Sequence, residues 1–159
     1  MITIRETFGI QDLKHIYFVE SSCFNPEDTE DIKELSSFVS EKNYKTYIAT
    51  KTISADNSDT ILGYLACEIR TSHYYVTSVA VLPKYRKLGI AKRLLKQCFE
   101  DMPVNLIMCC DIRSSNVPSQ HLFEKNGFKK VRDFESVYQD EIGFYYETEP
   151  KQKSIENNC

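Results

Sequence analysis

The chain has 159 residues, 42% of them hydrophobic and 27% charged, with a formal net charge of −3. That size suits one domain with a sizeable core, and the acidic balance argues against a general nucleic-acid binder. No apolar run approaches the roughly 18 residues of a membrane span, and the opening Ile2–Glu6 lacks the basic-then-apolar form of a signal peptide, so a cytoplasmic location is expected.

The six cysteines, at 23, 67, 98, 109, 110 and 159, have no disulfide-framework spacing. Several fall in apolar strands and helices, where cysteine behaves as a small hydrophobe. His15, His73 and His121 are scattered, and no Cys-x-x-Cys or His-x-x-x-His spacing occurs, so no metal is expected.

In chain order, Ile2 to Thr7 alternates as a first strand, and Ile10 to Cys23 reads as a helix with Leu13, Ile16, Tyr17 and Glu20 on one face. Asn25-Pro26 is a break. The acidic run Glu27–Asp31 then leads a second helix through Ile32, Leu35, Phe38 and Val39. Dipole compensation accounts for that run, and attraction of a cationic amine is the alternative. Tyr44 to Lys51 is a second strand, and 54–59 is a polar loop. Ile61 to Arg70 is a third strand, with Gly63 as a candidate bulge. His73 to Leu82 is a fourth strand, ended by Pro83. Leu88, Ala91, Leu94, Leu95, Cys98 and Phe99 recur at helical spacing. Val104 to Ile112 is a fifth, buried strand. A helix runs from Asn116 to Asn126, with Pro118 in its first turn and Gly127 as its C-cap. Phe128 to Phe134 and Gly143 to Glu149 are the last strands. Residues 1–149 thus read as one α/β domain, and 150–159 as a polar tail expected to be disordered.

Between the fourth strand and its helix lies a short basic loop containing one glycine. A glycine at a helix entry lets backbone approach a ligand. The free N–H groups and partial positive charge of a helix start suit a phosphate. Arg86, Lys87 and Lys92 would add full charges there. The run Arg86-Lys87-Leu88-Gly89-Ile90-Ala91 resembles the Gln/Arg-x-x-Gly-x-Gly/Ala pyrophosphate motif of the GNAT acetyltransferases. The preceding Ser78-Val79-Ala80-Val81-Leu82-Pro83 looks like that superfamily's strand four, whose backbone bonds the pantetheine arm of acetyl-CoA. A second stretch, Asn116 to Phe128, resembles the superfamily's Asn-x-x-Ala-x-x-Leu-Tyr-x-x-x-Gly-Phe segment. Asn116, Leu122, Gly127 and Phe128 match, with Ser119 in place of alanine and Phe123 in place of tyrosine.

The resemblance covers essentially the whole folded chain. It implies a single GNAT-like domain: a mixed, mostly antiparallel seven-stranded sheet flanked by about four helices. The flavour is that of ribosomal-protein alanine and protein N-terminal acetyltransferases. It implies an acetyl-CoA site made of Val79, Ala80, Val81, Arg86, Lys87, Leu88, Gly89, Ile90, Ala91, Lys92, Asn116 and Phe123. In those relatives a glutamate at the position of Asp111 is general base, and a tyrosine at the position of Phe123 is general acid. Asp111 keeps the carboxylate; as an alternative it is a strand-end group bonded to Arg113 or a neighbouring amide. Phe123 cannot donate a proton, so Tyr138, Tyr145 or water would replace it, or the thiolate leaves unprotonated. The activity implied is direct acetyl transfer to a primary amine of a protein or peptide. A small-amine acetyltransferase, of polyamine or aminoglycoside type, and a non-catalytic acetyl-CoA-binding module are the alternatives. A basic-patch RNA-binding domain has only the cluster around Arg86 in its favour.

Overall fold

In the computed structural model, which describes residues 1–52, 59–135 and 141–154, seven strands form one sheet. They are β1 (Ile2–Glu6), β2 (Tyr44–Thr52), β3 (Asp59–Ile69), β4 (His73–Val81), β5 (Ile107–Arg113), β6 (Lys129–Glu135) and β7 (Ile142–Glu147), in the spatial order β1-β2-β3-β4-β5-β7-β6. Every neighbouring pair is antiparallel except β4 with β5. Helices α1 (Leu13–Cys23) and α2 (Ile32–Ser40) pack on one face, against β2, β3 and β4. Helix α3 (Ile90–Asp101) packs on the other face, and α4 (Val117–Glu124) lies beside β6. The expected mixed α/β architecture is therefore observed.

Strand pleating sorts the core into two layers. Leu62, Leu65, Tyr74, Met108, Cys110 and Ile112 meet Leu94, Leu95 and Cys98 of α3. Ile48, Tyr64 and Ala66 meet Ile16, Val19, Leu35 and Phe38 of α1 and α2. Each fully buried aliphatic side chain contributes about 1.5–3 kcal/mol.

Several boundaries differ from expectation, each for a local reason. Helix α1 starts at Leu13, because Gly9–Asp12 form a tighter 3₁₀ turn in which the Asp12 carboxylate accepts the Phe8 N–H at 2.7 Å. Its buried face is Ile16, Val19 and Glu20, whereas Tyr17 is half-exposed. Of the expected face Ile16 and Glu20 are buried and Leu13 is partly buried, and Val19 takes the place of Tyr17. Strand β5 starts at Ile107 rather than Val104, since Asn105 sits at φ 67 and donates its N–H to Lys151 O. Lys151 N–H in turn donates to Leu106 O, so the chain just past residue 149 remains tied to the sheet. The polar loop read at 54–59 lies outside the described residues except for Asp59, and so do residues 155–159 of the tail.

Two local devices have measurable consequences. The Arg5 guanidinium grips Asp12 through two bonds of 2.9 Å, and with the Phe8 amide it lowers the Asp12 carboxyl from 3.8 to about 2 despite burial. A depressed carboxyl contributes stability that is complete above the unfolded value and is lost as pH falls through the folded one. Between pH 4 and pH 2 the wild type is expected to lose roughly 2 kcal/mol through this group. Urea unfolding of Asp12→Asn should lack that component.

At Gly63 a Cβ would stand 2.5 Å from Ala80 O, beside the bulge where Ala49 pairs Gly63 but Thr50 pairs Ile61. The bulged residue is Leu62, one position before the Gly63 expected, and Gly63 itself pairs with both Ala49 and Val81. Gly63→Ala is expected to cost about 1–3 kcal/mol, the usual range for overpacking. Thermal unfolding should then start several degrees lower.

Candidate active site

The site begins where two strands part. β4 and β5 pair only over His73–Tyr75 and Ile107–Cys109. Thr77 is an extra residue in β4, since Ala66 faces Ser78 while Cys67 faces Val76. A bulge bends its strand and re-aims the residues beyond it. Here Val76–Val81 stay with β3 and Cys110–Arg113 stay with β7, leaving a wedge between them. Leu82 N–H donates to Leu62 O, so the Val81–Gly63 pair, and Val79–Leu65 in phase with it, point their own N–H and C=O groups away from β3. Those groups face the wedge. The Val81 carbonyl is taken by Arg86 Nε at 3.0 Å and by the Cys23 thiol.

At one end of the wedge stands the start of α3. The loop before it places Arg86 in extended conformation, Lys87 at φ 63 and Gly89 at φ 72. Left-handed backbone at a non-glycine residue costs roughly 1–2 kcal/mol and clusters at functional sites. The first bond into the helix is Arg93 N–H to Gly89 O, and the Ile90, Ala91 and Lys92 amides have no partner among the described residues. They point into a cavity of about 230 Å³ that Arg86, Lys87, Gly89 and Lys92 also line. Unpaired amides, a helix dipole and nearby cations suit a phosphate-bearing ligand. Leu88 turns its side chain to solvent, and Arg93 donates to Ile2 O at the far edge, so neither side chain lines this cavity.

A second cavity of about 330 Å³ continues along Val79, Ala80 and Val81 to Asn116 and Leu122, sharing Val81, Arg86, Ala91 and Leu122 with the first. Asn116 caps α4: its side-chain oxygen accepts Ser119 N–H at 3.2 Å. That leaves the amide NH₂ as the group it can offer a ligand. The C-terminal end of α4 is closed by Gly127 at φ 89, with Gly127 N–H on Glu124 O and Phe128 N–H on Phe123 O. This paired cap brings the two aromatic rings together. Phe123 and Phe128 meet edge to face at 4.9 Å, and Phe123 is buried while still lining the cleft.

The third cavity, about 520 Å³, shares Asn116, Pro118 and Ser119 with the second and ends at Asp111. Tyr75 of β4 donates its hydroxyl to Asp111 Oδ2 at 2.8 Å. This partner was not foreseen, because it arises from the β4–β5 register rather than from any local pattern. Tyr145 lies directly opposite Asp111 in β7, and burial pushes its phenol well up. Tyr146 points to the other face, where its hydroxyl donates to Glu124 at 3.0 Å, and burial raises it to about 12. Tyr138, expected as a proton donor, lies outside the described residues. Glu20, Asp28 and Glu30 line the outer wall. Burial and the nearby Glu34 and Glu20 carboxylates raise Glu30 to about 7. Arg113 joins the wall to β5 through Asp28 at 2.9 Å. The structure thus brings Val79 to Val81, the loop from Arg86 to Lys92, Asn116, Phe123 and Asp111 to one continuous cleft. Among the described residues no group of three or more His, Cys, Asp or Glu side chains is placed to hold a metal ion, and no helix is long and apolar enough to cross a membrane.

The chain belongs to the acetyltransferase (GNAT) family, whose pattern matches residues 10–128. It is 35% identical over 85 residues to an N-alpha-acetyltransferase of Saccharolobus solfataricus, covering 52% of this chain and 50% of that protein. The chain spans about half the length of the curated relatives it matches. The ribosomal-protein-S18-alanine N-acetyltransferase from Escherichia coli has the same fold, with a TM-score of 0.79 at 18% identity over 100% of this chain and 99% of that one. Arabidopsis thaliana NAA60, solved with acetyl-CoA, gives 0.78 at 17% identity over 94% of this chain and 98% of that one. At such identities these likenesses establish the fold, and function rests on the site.

Proposed function

We propose that the protein is an acetyl-CoA-dependent N-acetyltransferase that passes the acetyl group directly to a primary amine of a protein or peptide, in the cytoplasm. The observation that carries this is the continuous cleft, running from unpaired amides at the α3 start, along the open edge of β4, to the Asp111 carboxylate. The Ile90, Ala91 and Lys92 amides with Lys87 and Lys92 would hold the pyrophosphate. Val79 and Val81 would extend the sheet edge to the pantetheine amides, and the Asn116 NH₂ would bond the same arm. The bound group supplies a thioester carbonyl open to an amine, and a thiolate that leaves.

An amine attacks only when neutral. About a tenth of α-amines are neutral at pH 7, against less than one lysine in a thousand. Asp111 would accept the ammonium proton through a water, with Tyr75 fixing the carboxylate's orientation. The Val79 N–H, facing the wedge in the cavity that ends at Asp111, would polarise the carbonyl. The thiolate needs little help, since a free thiol titrates near 8.5. Tyr75 bonds Asp111, and Tyr145 stands opposite Asp111 in β7. A peptide acceptor is supported by the N-alpha-acetyltransferase relatives.

Buried Phe123 favours a second reading, a module that binds acetyl-CoA without turnover. The two separate in one experiment: CoA thiol release with peptides beginning Ala, Ser, Gly or Met, and with spermidine. Release that depends on a peptide supports the proposal. Release with spermidine alone moves the acceptor to small amines. No release with acetyl-CoA bound supports the module, and activity gained by Phe123→Tyr would strengthen it.

A further inference from the structure

Glu20 is a carboxylate on the buried face of α1, 1% exposed, yet it lines the acceptor end of the cleft. It accepts the Glu30 N–H at 3.0 Å and the hydroxyl of Tyr64, a β3 residue with no exposure at all. The Tyr64 and Ser78 hydroxyl oxygens lie 2.7 Å apart. Ser78 is on β4 and lines the same cavity, across the wedge from Asp111.

The direction of this chain is set by counting hydrogens. A phenol has one, and that of Tyr64 is given to Glu20. The bond between Tyr64 and Ser78 must then use the serine hydrogen. Ser78 Oγ therefore presents only lone pairs to the cavity. A lone hydroxyl would turn to donate or accept as its ligand required, whereas this one is held as an acceptor because Tyr64 gives its only hydrogen to Glu20. In a low-dielectric interior such chained bonds strengthen one another. An acceptor-only oxygen in a cleft wall suits an N–H donor and repels a carbonyl or carboxylate.

We infer that Ser78 Oγ receives the N–H of the acceptor amine, and that Tyr64 and Glu20 act as positioning residues that hold it in this state. The inference rests on the acetyltransferase reading of the same cleft. The amine is then held between Ser78 on β4 and Asp111 on β5, with its lone pair turned toward the thioester.

The test compares wild type with Ser78→Ala, Ser78→Thr, Tyr64→Phe, Glu20→Gln and the double variant Tyr64→Phe/Glu20→Gln, using the best acceptor peptide of the panel. Ser78→Ala removes one small hydroxyl at the cleft wall and should fold normally, which keeps the test valid if a buried variant does not fold. The expected result is a ten- to hundredfold loss of kcat in Ser78→Ala, Tyr64→Phe and Glu20→Gln, with the acetyl-CoA-induced shift in Tm unchanged. Ser78→Thr should stay within a few fold of wild type. The double variant should lose no more than either single one, as members of one chain do. A purely structural role would lower Tm and leave kcat of the folded protein in place. Unchanged kcat in Ser78→Ala overturns the inference alone, whereas a wild type that transfers to no amine overturns it together with the reading beneath it.

Discussion

Asp111→Asn is expected to lower kcat by about 10²–10⁴, the range for removing a general base. The binding of acetyl-CoA should not change. Asparagine preserves the shape and can still accept the Tyr75 hydroxyl that now lies 2.8 Å from Oδ2. What it cannot do is take a proton from the incoming ammonium. The loss should be larger for a lysine side chain than for an α-amine, because the lysine is so much less often neutral at pH 7. Raising the pH should restore activity toward an α-amine first. Steady-state kinetics between pH 7 and 9.5 with both acceptors would measure this. If Asp111 were only a strand-end carboxylate, its variant would match wild type at every pH.

Gly89→Val is expected to abolish the stabilisation that acetyl-CoA confers. Gly89 sits at φ 72 with open space where a Cβ would go, so no clash opposes the substitution. The cost is conformational instead, since β-branched residues are rarely found with left-handed backbone. An apo protein that kept the loop's shape would lose roughly 1–2 kcal/mol. One that changed it would displace the Ile90, Ala91 and Lys92 amides from the phosphate position. In either case the new side chain stands where a phosphate must approach. Scanning calorimetry with and without the ligand separates the apo cost from the lost ligand effect.

The parts of this site that were legible in the sequence are those that local backbone chemistry dictates. A lone glycine between basic residues marks a left-handed helix entry. The pattern of Asn116, Pro118 and Gly127 marks a capped helix. Those features need only neighbours in the chain. Tyr75 and Glu20 were not legible as site residues, because their roles depend on how distant strands are registered. Thr77 is the example: an extra residue in β4 opens the wedge and sets Ser78 within reach of Tyr64, and nothing in the run Val76-Thr77-Ser78 announces it. Glu20 stood out in the sequence only as one position on a helix face. Its burial among β3 and β4 side chains makes it a polar group that packing alone does not explain. Phe123 shows the converse. Its departure from the family's tyrosine was visible at once, but its contact with Phe128 was not.

The proposed activity requires the cleft between β4 and β5 to be an acetyl-CoA site, and thermal unfolding with acetyl-CoA, CoA or ATP tests that requirement. At about 100 times its Kd a ligand adds roughly 2.7 kcal/mol to stability. For a domain of this size each kcal/mol raises Tm by about 2–4 °C. A rise of several degrees with both CoA species, and little with ATP, is the predicted result. An unchanged Tm at millimolar acetyl-CoA would contradict it, because the α3 amides would then not be a phosphate site and the wedge would hold no thioester.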